Sequence, residues 1–289
     1  MTRRRADLVL VLANLVWGVS FVVVKGALEA STPLAFTALR FAIAALVLTP
    51  FTKLRGPWSH AELGAGALLG SLLAVGFAMQ AVGLVSTTPS RSAFIVATSA
   101  VLAAALAFVV IRERPRAAVF LALGLAAVGM YLLTAPGPGG VNRGDLLTCV
   151  TAVCFGGQIV AVTDFSRRYD PLRLVWMQTV ATALGAALAA AAWEKTAMHW
   201  SISFATALGY AAVFATALAL LWQMRAQQFM TSARAALIFC LEPVFAAIAS
   251  FFWLGERLSL AQWSGGTLIL AGMILAELPA SRARTTAAV

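Results

Sequence analysis

Apolar residues run along this chain in ten blocks of about twenty, separated by short clusters of charge, glycine and proline. The blocks fall roughly at 6–26, 33–52, 63–85, 89–111, 116–135, 144–164, 171–193, 203–224, 233–254 and 259–278. About twenty mostly apolar residues are what a helix needs to cross a bilayer. Together the blocks use most of the chain and leave no room for a soluble domain. The pattern predicts an all-α integral membrane protein with ten transmembrane helices. The first block is about as long as a signal peptide. It lacks a small-residue cleavage site at its end and carries Asn14, Trp17, Ser20 and Lys25, so it is read as a retained span.

The polar residues that interrupt the blocks recur at fixed spacing. Asp7, Trp17, Pro33, Phe36 and Arg40 match Asp145, Phe155, Pro171, Leu174 and Gln178 at an offset of 138. Further along, the offset is 143. There Gln80 meets Gln223, Arg91 meets Arg234, Glu113-Arg114 meets Glu256-Arg257, and Gly129-Met130 meets Gly272-Met273. Residues 1–135 and 144–289 therefore read as two five-helix repeats, joined by a Pro/Gly-rich linker at 136–143. A five-span unit starts and ends on opposite sides of a membrane, so the second repeat is inverted relative to the first. Inverted repeats commonly enclose a substrate site near the bilayer midplane and alternate access to it.

Composition agrees with this pattern. Of 289 residues, 61% are hydrophobic and 11% charged, and the mean hydropathy is +0.90. A soluble domain carries about 25% charged residues. The net charge of +10 is distributed by topology. With the N-terminus inside, fifteen Lys and Arg fall on the cytoplasmic side, five fall on the other, and Arg40 lies within a span. That positive-inside bias puts both termini in the cytoplasm and argues against nucleic acid as a partner. Cys149, Cys154 and Cys240 all lie in blocks, form no CxxC and read as small hydrophobes. No nucleophile–base pair, metal cluster or phosphate loop stands out, and His60 and His199 lie in connections, so neither an enzyme nor a cofactor is expected.

Polar groups within a span normally face the bundle interior or a water-filled cavity. Asn14, Trp17 and Phe21 share one face of the first span, with Ser20 beside them. The sixth span offers Thr151, Phe155 and Gln158, and the fourth offers Phe94, Thr98 and Ser99. The third and eighth offer Gln80 and Gln223, with Trp222 next to Gln223. An amide both donates and accepts, and an indole adds an apolar floor with one donor, a mixture that suits a small zwitterion with an apolar part. Ser and Thr in spans also bond to their own helix, and Gln also joins helices. Gly66 and Gly70 form a GxxxG, read as a close helix contact.

Glu242 stands in the middle of an apolar block, with Pro243 directly after it. The proline frees the carbonyl of Phe239 from its helical bond and marks a helix break. A carboxyl at this depth is costly. It is either a proton- or substrate-responsive group in the pathway, and so the candidate for coupling, or a buried structural acid paired with a donor such as Gln158, Asn14 or Arg40. Arg40 lies about seven residues into the second span, or roughly 10 Å by helix rise. It either snorkels to the interface or supplies a cavity charge. Glu113 and Glu256 end their spans beside arginines and read as loop-end ion pairs.

Several of these segments together resemble the EamA-type transporters of the drug/metabolite transporter superfamily. They include Asn14-Leu15-Val16-Trp17-Gly18, Leu39-Arg40-Phe41, and Gln80 to Leu84 leading to Ser90 to Phe94. The fullest are Leu241-Glu242-Pro243-Val244-Phe245, Leu254-Gly255-Glu256-Arg257 and Gly265 to Gly272. The resemblance covers nearly the whole chain. It implies ten helices in two inverted repeats, a plasma (inner) membrane location, a central cavity, and a carrier that often exports amino acids or related metabolites. Relatives elsewhere in the superfamily carry sugar phosphates or nucleotide sugars. The first half departs from the motif: it reads Thr98-Ser99-Ala100 where the second reads Leu241-Glu242-Pro243. The reading is a carrier whose partners are a small-molecule substrate and the lipid bilayer. Carriage of another solute or drug-like compound, or lipid handling, are the alternatives. The residues set no oligomeric state, and a monomer is compatible with this reading.

Overall fold

A computed structural model describes residues 1–52, 58–112, 117–134, 141–255, 257 and 259–277. Among these residues the chain is nearly all helical. The elements are α1 (Arg3–Ala27), α2 (Pro33–Thr52), α3 (His60–Ser86), α4 (Pro89–Ala97), α5 (Ser99–Val110), α6 (Ala117–Thr134), α7 (Arg143–Arg168), α8 (Pro171–Trp193), α9 (Ile202–Gly209), a π-helical segment (Tyr210–Leu218), α10 (Ala219–Gln227), α11 (Ser232–Phe239), α12 (Glu242–Leu254) and α13 (Leu260–Glu277). Read through their internal breaks, eight helical rods are long and apolar enough to span a membrane. Two further helices, α6 and α13, pack tightly on each other: a Cβ at Gly129 would meet the Gly265 carbonyl at 2.6 Å, and one at Gly272 the Ala122 carbonyl at 2.8 Å. Residues 136–140 of the predicted linker, together with Glu113, Arg114 and Glu256, lie outside the described residues.

Polar residues just before the helices set where they start. Thr88 caps α4 ahead of Pro89, Asp170 caps α8 ahead of Pro171, and Thr231 caps α11. Asn142 and Asp145 form a reciprocal capping box on α7. Large apolar side chains such as Leu188, Phe251, Phe252 and Trp253 point outward, as expected where the surrounding medium is lipid. Inside, small residues let helices approach. A Cβ at Gly66 would land 2.5 Å from the Met177 Cβ, and one at Gly70 would collide with Ala181, so the GxxxG seats α3 on α8.

Polar contacts define two ends of the bundle. At the Pro33 face, Lys25 donates to the carbonyls of Leu84 and Thr87, Arg91 pairs with Asp145, and the Glu194 carboxylate accepts from the backbone N–H groups of Leu34 and Ala35. At the Arg3 face, Arg234 donates to Asp7 at 3.0 and 2.9 Å, and Arg173 pairs with Glu62 at 3.1 Å. The Asp7–Arg234 and Asp145–Arg91 pairs are formed by residues that the offsets of 138 and 143 equate.

Two rods are broken near their middles. One breaks at Thr98, whose hydroxyl donates back to the Ile95 carbonyl at 2.6 Å. The other breaks at Cys240 and Leu241, whose N–H groups bond three residues back, just before Glu242 and Pro243. The two breaks fall at positions matched by the offset of 143. Each rests on a glycine of the other half. A Cβ at Gly18 would meet Phe245 Cβ at 2.5 Å, Ala246 N at 2.9 Å and Glu242 O at 2.9 Å. A Cβ at Gly156 would meet Leu102 Cβ at 2.9 Å, Ala103 N at 3.3 Å and Ser99 O at 3.1 Å. These are the same atoms at repeat-matched positions.

Candidate functional site

The breaks border a cavity enclosed by α1, α2, α3, α4, α5, α7, α10, α11 and α12. It holds about 790 Å³ of space free of protein atoms, counting the space at its mouth. Its lining reaches Val24, Phe36 and Leu84 toward the Pro33 face. Toward the Arg3 face it ends near Phe239 and Gln223.

Arg40 enters the cavity wall from α2. It is buried, and no salt bridge to it occurs among the described residues. It does not snorkel to an interface. Instead, its Nε donates to Thr216 Oγ1 at 2.6 Å and to the Ala211 carbonyl at 3.2 Å, and Nη2 donates to the Ala215 carbonyl at 3.1 Å. All three acceptors lie in the π-helical segment. The guanidinium also sits 4.9 Å from the centroid of the Phe77 ring, within cation–π reach. Among the described residues Nη1 has no acceptor, and Arg40 lines the cavity. Trp17 uses the same segment, its indole Nε1 donating to the Ala215 carbonyl at 2.8 Å. Two cavity side chains from α1 and α2 thus share carbonyls of a wide helical turn, a geometry that recurs at functional sites.

Glu242 lines the cavity at the start of α12 and is partly exposed to it. Its carboxyl has no hydrogen bond or ion pair to Asn14, Gln158 or Arg40. None of the three donors named as its partners is paired with it here.

Trp17, Ser20, Arg40, Gln80, Gln158, Gln223 and Glu242 all line the cavity, and Pro243 is buried directly behind the acid. Three other candidates lie elsewhere. Asn14 is fully buried one turn nearer the Arg3 face, where its amide donates to the Leu10 carbonyl at 2.7 Å. Phe94 is in the apolar core, and Trp222 packs against that core beside Gln223. The sequence reading did not single out Thr37, Phe77 or Phe239, which line the cavity. Phe77 precedes Gln80, and Phe239 precedes Glu242, by three residues, so helical spacing from either anchor would have found them. Among the described residues no group of three or more His, Cys, Asp or Glu is placed to hold a metal ion.

Long apolar helices around a central cavity with a few buried polar groups define a multi-pass membrane transport protein. The model of the EamA-like transporter family matches residues 4–135 and 142–278, and the chain belongs to that family. It is 35% identical over 276 residues to an uncharacterized transporter of Archaeoglobus fulgidus, covering 96% of this chain and 87% of the relative. It is 27% identical over 300 residues to the uncharacterized transporter YvbV of Bacillus subtilis, covering 100% and 96%. In three dimensions it is similar to a protein of known crystal structure, with a TM-score of 0.79 at 20% identity, over 99% of this chain and 100% of that one.

Proposed function

We propose that this protein is an inner-membrane carrier that exports a small amino-acid-like zwitterion by alternating access. In this reading ten spans form two inverted five-helix repeats. Support comes from the two stretches matched by the family model and from the matched seats of the two helix breaks. The positive-inside bias puts both termini and the Arg3 face in the cytoplasm.

The observation that carries the substrate class is the charge inside the cavity. Arg40 and Glu242 both line it, and neither is neutralised by another charged side chain among the described residues. A ligand with one carboxylate and one ammonium complements both. Gln80 adds an amide, and Phe21, Phe36, Phe77, Phe155 and Phe239 form apolar walls. A sugar phosphate or nucleotide sugar brings two negative charges or more to a single arginine whose other nitrogens are engaged, and it meets a carboxyl as well. Glu242, the acid in the cavity, is the coupling group in this reading.

The test is uptake and efflux of labelled amino acids in proteoliposomes, with and without a pH gradient, for wild type and Glu242→Gln. Saturable, competable flux of one amino acid supports the carrier, and a pH response lost in Glu242→Gln supports coupling. Absence of flux for the whole panel counts against the substrate class. Unchanged rate and pH profile in Glu242→Gln counts against coupling.

A further inference from the structure

Positions equated by the repeat are bonded differently in the two halves. In the second half, Gln223 of α10, Gln158 of α7 and Gln178 of α8 form a chain. Gln223 Nε2 donates to Gln158 Oε1 at 3.0 Å, and Gln158 Nε2 donates to Gln178 Oε1 at 3.4 Å. All three side chains are buried. Their mates at offsets of 143 and 138 are Gln80 of α3, Ser20 of α1 and Arg40 of α2. None of these bonds to another. The Ser20 hydroxyl donates back to the Trp17 carbonyl at 2.7 Å, Arg40 reaches the π-helical segment, and all three line the cavity.

The seam between α7 and α10 continues toward the Arg3 face. Gln227 Nε2 donates to the Ile159 carbonyl at 3.1 Å and to Thr163 Oγ1 at 2.9 Å. Beyond it, Arg167 donates to the Met230 carbonyl at 2.6 Å. The mates of Gln227 and Ile159 are Leu84 and Phe21, which are apolar and line the cavity. Toward its own face the first half is bonded as well, since Lys25, the mate of Thr163, donates to the carbonyls of Leu84 and Thr87, so the difference between the halves lies in the amide chain and its mates.

We infer that the amide chain Gln223–Gln158–Gln178 is the closed gate toward the Arg3 face. The carrier opens that face by parting these three side chains while α1, α2 and α3 close over Ser20, Arg40 and Gln80. The inference rests on the reading of the protein as an alternating-access carrier, but not on which substrate it carries. Amides suit the task because each can exchange its protein partner for water without changing charge. Gln178 does not line the cavity, so its contribution is separable from substrate contact.

The experiment measures access to a reporter cysteine, Leu220→Cys in the cavity wall, in the full chain with Cys149, Cys154 and Cys240 replaced by alanine. A membrane-impermeant maleimide is added from either side of oriented vesicles, with no substrate present. Gln178→Met and Gln158→Met are each introduced, which keeps side-chain size and gives two independent chances of a folded variant. Both are checked for a single folded species by size-exclusion chromatography. The expected result is labelling from the Arg3 side that rises about five-fold or more, as loss of one buried amide bond implies, with labelling from the Pro33 side falling. Unchanged labelling from both sides in a folded variant overturns the inference, because the chain is then only structural. Labelling that rises from both sides also overturns it, because a gate exchanges access and a packing defect opens both. Because the readout needs no transported solute, failure of the amino-acid assignment leaves this result interpretable.

Discussion

The two broken rods have the same seat and different chemistry. Gly18 lies under Glu242 to Ala246, and Gly156 lies under Ser99 to Ala103. The second break is made without proline: Thr98 bends its helix by bonding back to Ile95. The break is therefore a property of both halves, and proline is not what requires it. What the second half adds is a carboxyl at the cavity wall. Its seat is also tighter, with a closest approach of 2.5 Å against 2.9 Å. Each half therefore carries a helix break, and only the second places a carboxyl there.

Three measurements test this contrast. The largest effect is expected at the seats. Gly18→Ala forces α1 away from the α12 backbone and is expected to cost about 2–3 kcal/mol, while Gly156→Ala costs about 1 kcal/mol. Thermal unfolding in detergent reads both, and equal losses would remove the asymmetry. Next is the acid itself. Glu242→Gln is expected to slow pH-driven flux about ten-fold, roughly 1.4 kcal/mol in barrier. Ser99→Ala, at the matched position, leaves it within about two-fold, roughly 0.4 kcal/mol on the same scale. Equal slowing by both would make the acid incidental. The smallest effect is at the proline. Pro243→Ala is expected to change stability by less than about 1 kcal/mol, since the break at Thr98 forms without proline. A larger loss would show that the two breaks have different causes.

Much of this was legible in the chain. Long apolar blocks locate the rods because a bilayer fixes how many residues a span needs. Capping residues such as Thr88, Asn142 and Asp170 mark helix starts because the first N–H groups need acceptors. Arg40, Gln80, Gln158 and Glu242 were visible because polar groups are rare in spans and turn inward. The π-helical segment was not legible. Residues Tyr210–Leu218 are ordinary helix formers, and the donors to its Ala215 carbonyl, Arg40 and Trp17, come from helices distant in sequence. Asn14 shows the limit of periodicity. It lies on the same face as Trp17, but the cavity closes above it, and depth along a helix is set by what packs opposite. The bend at Thr98 likewise depends on one hydroxyl bonding back to its own helix, a choice that threonine does not make at every position.

In the proposed function Arg40 and Glu242 together recognise a zwitterion. The most direct measurement is counterflow in proteoliposomes of an amino acid that the protein carries, against its N-acetyl and methyl-ester derivatives, each of which removes one charge. Exchange of the free amino acid, with neither derivative competing and with exchange lost in Arg40→Gln, is the predicted result. Equal exchange of both derivatives, or exchange that survives Arg40→Gln, would contradict it.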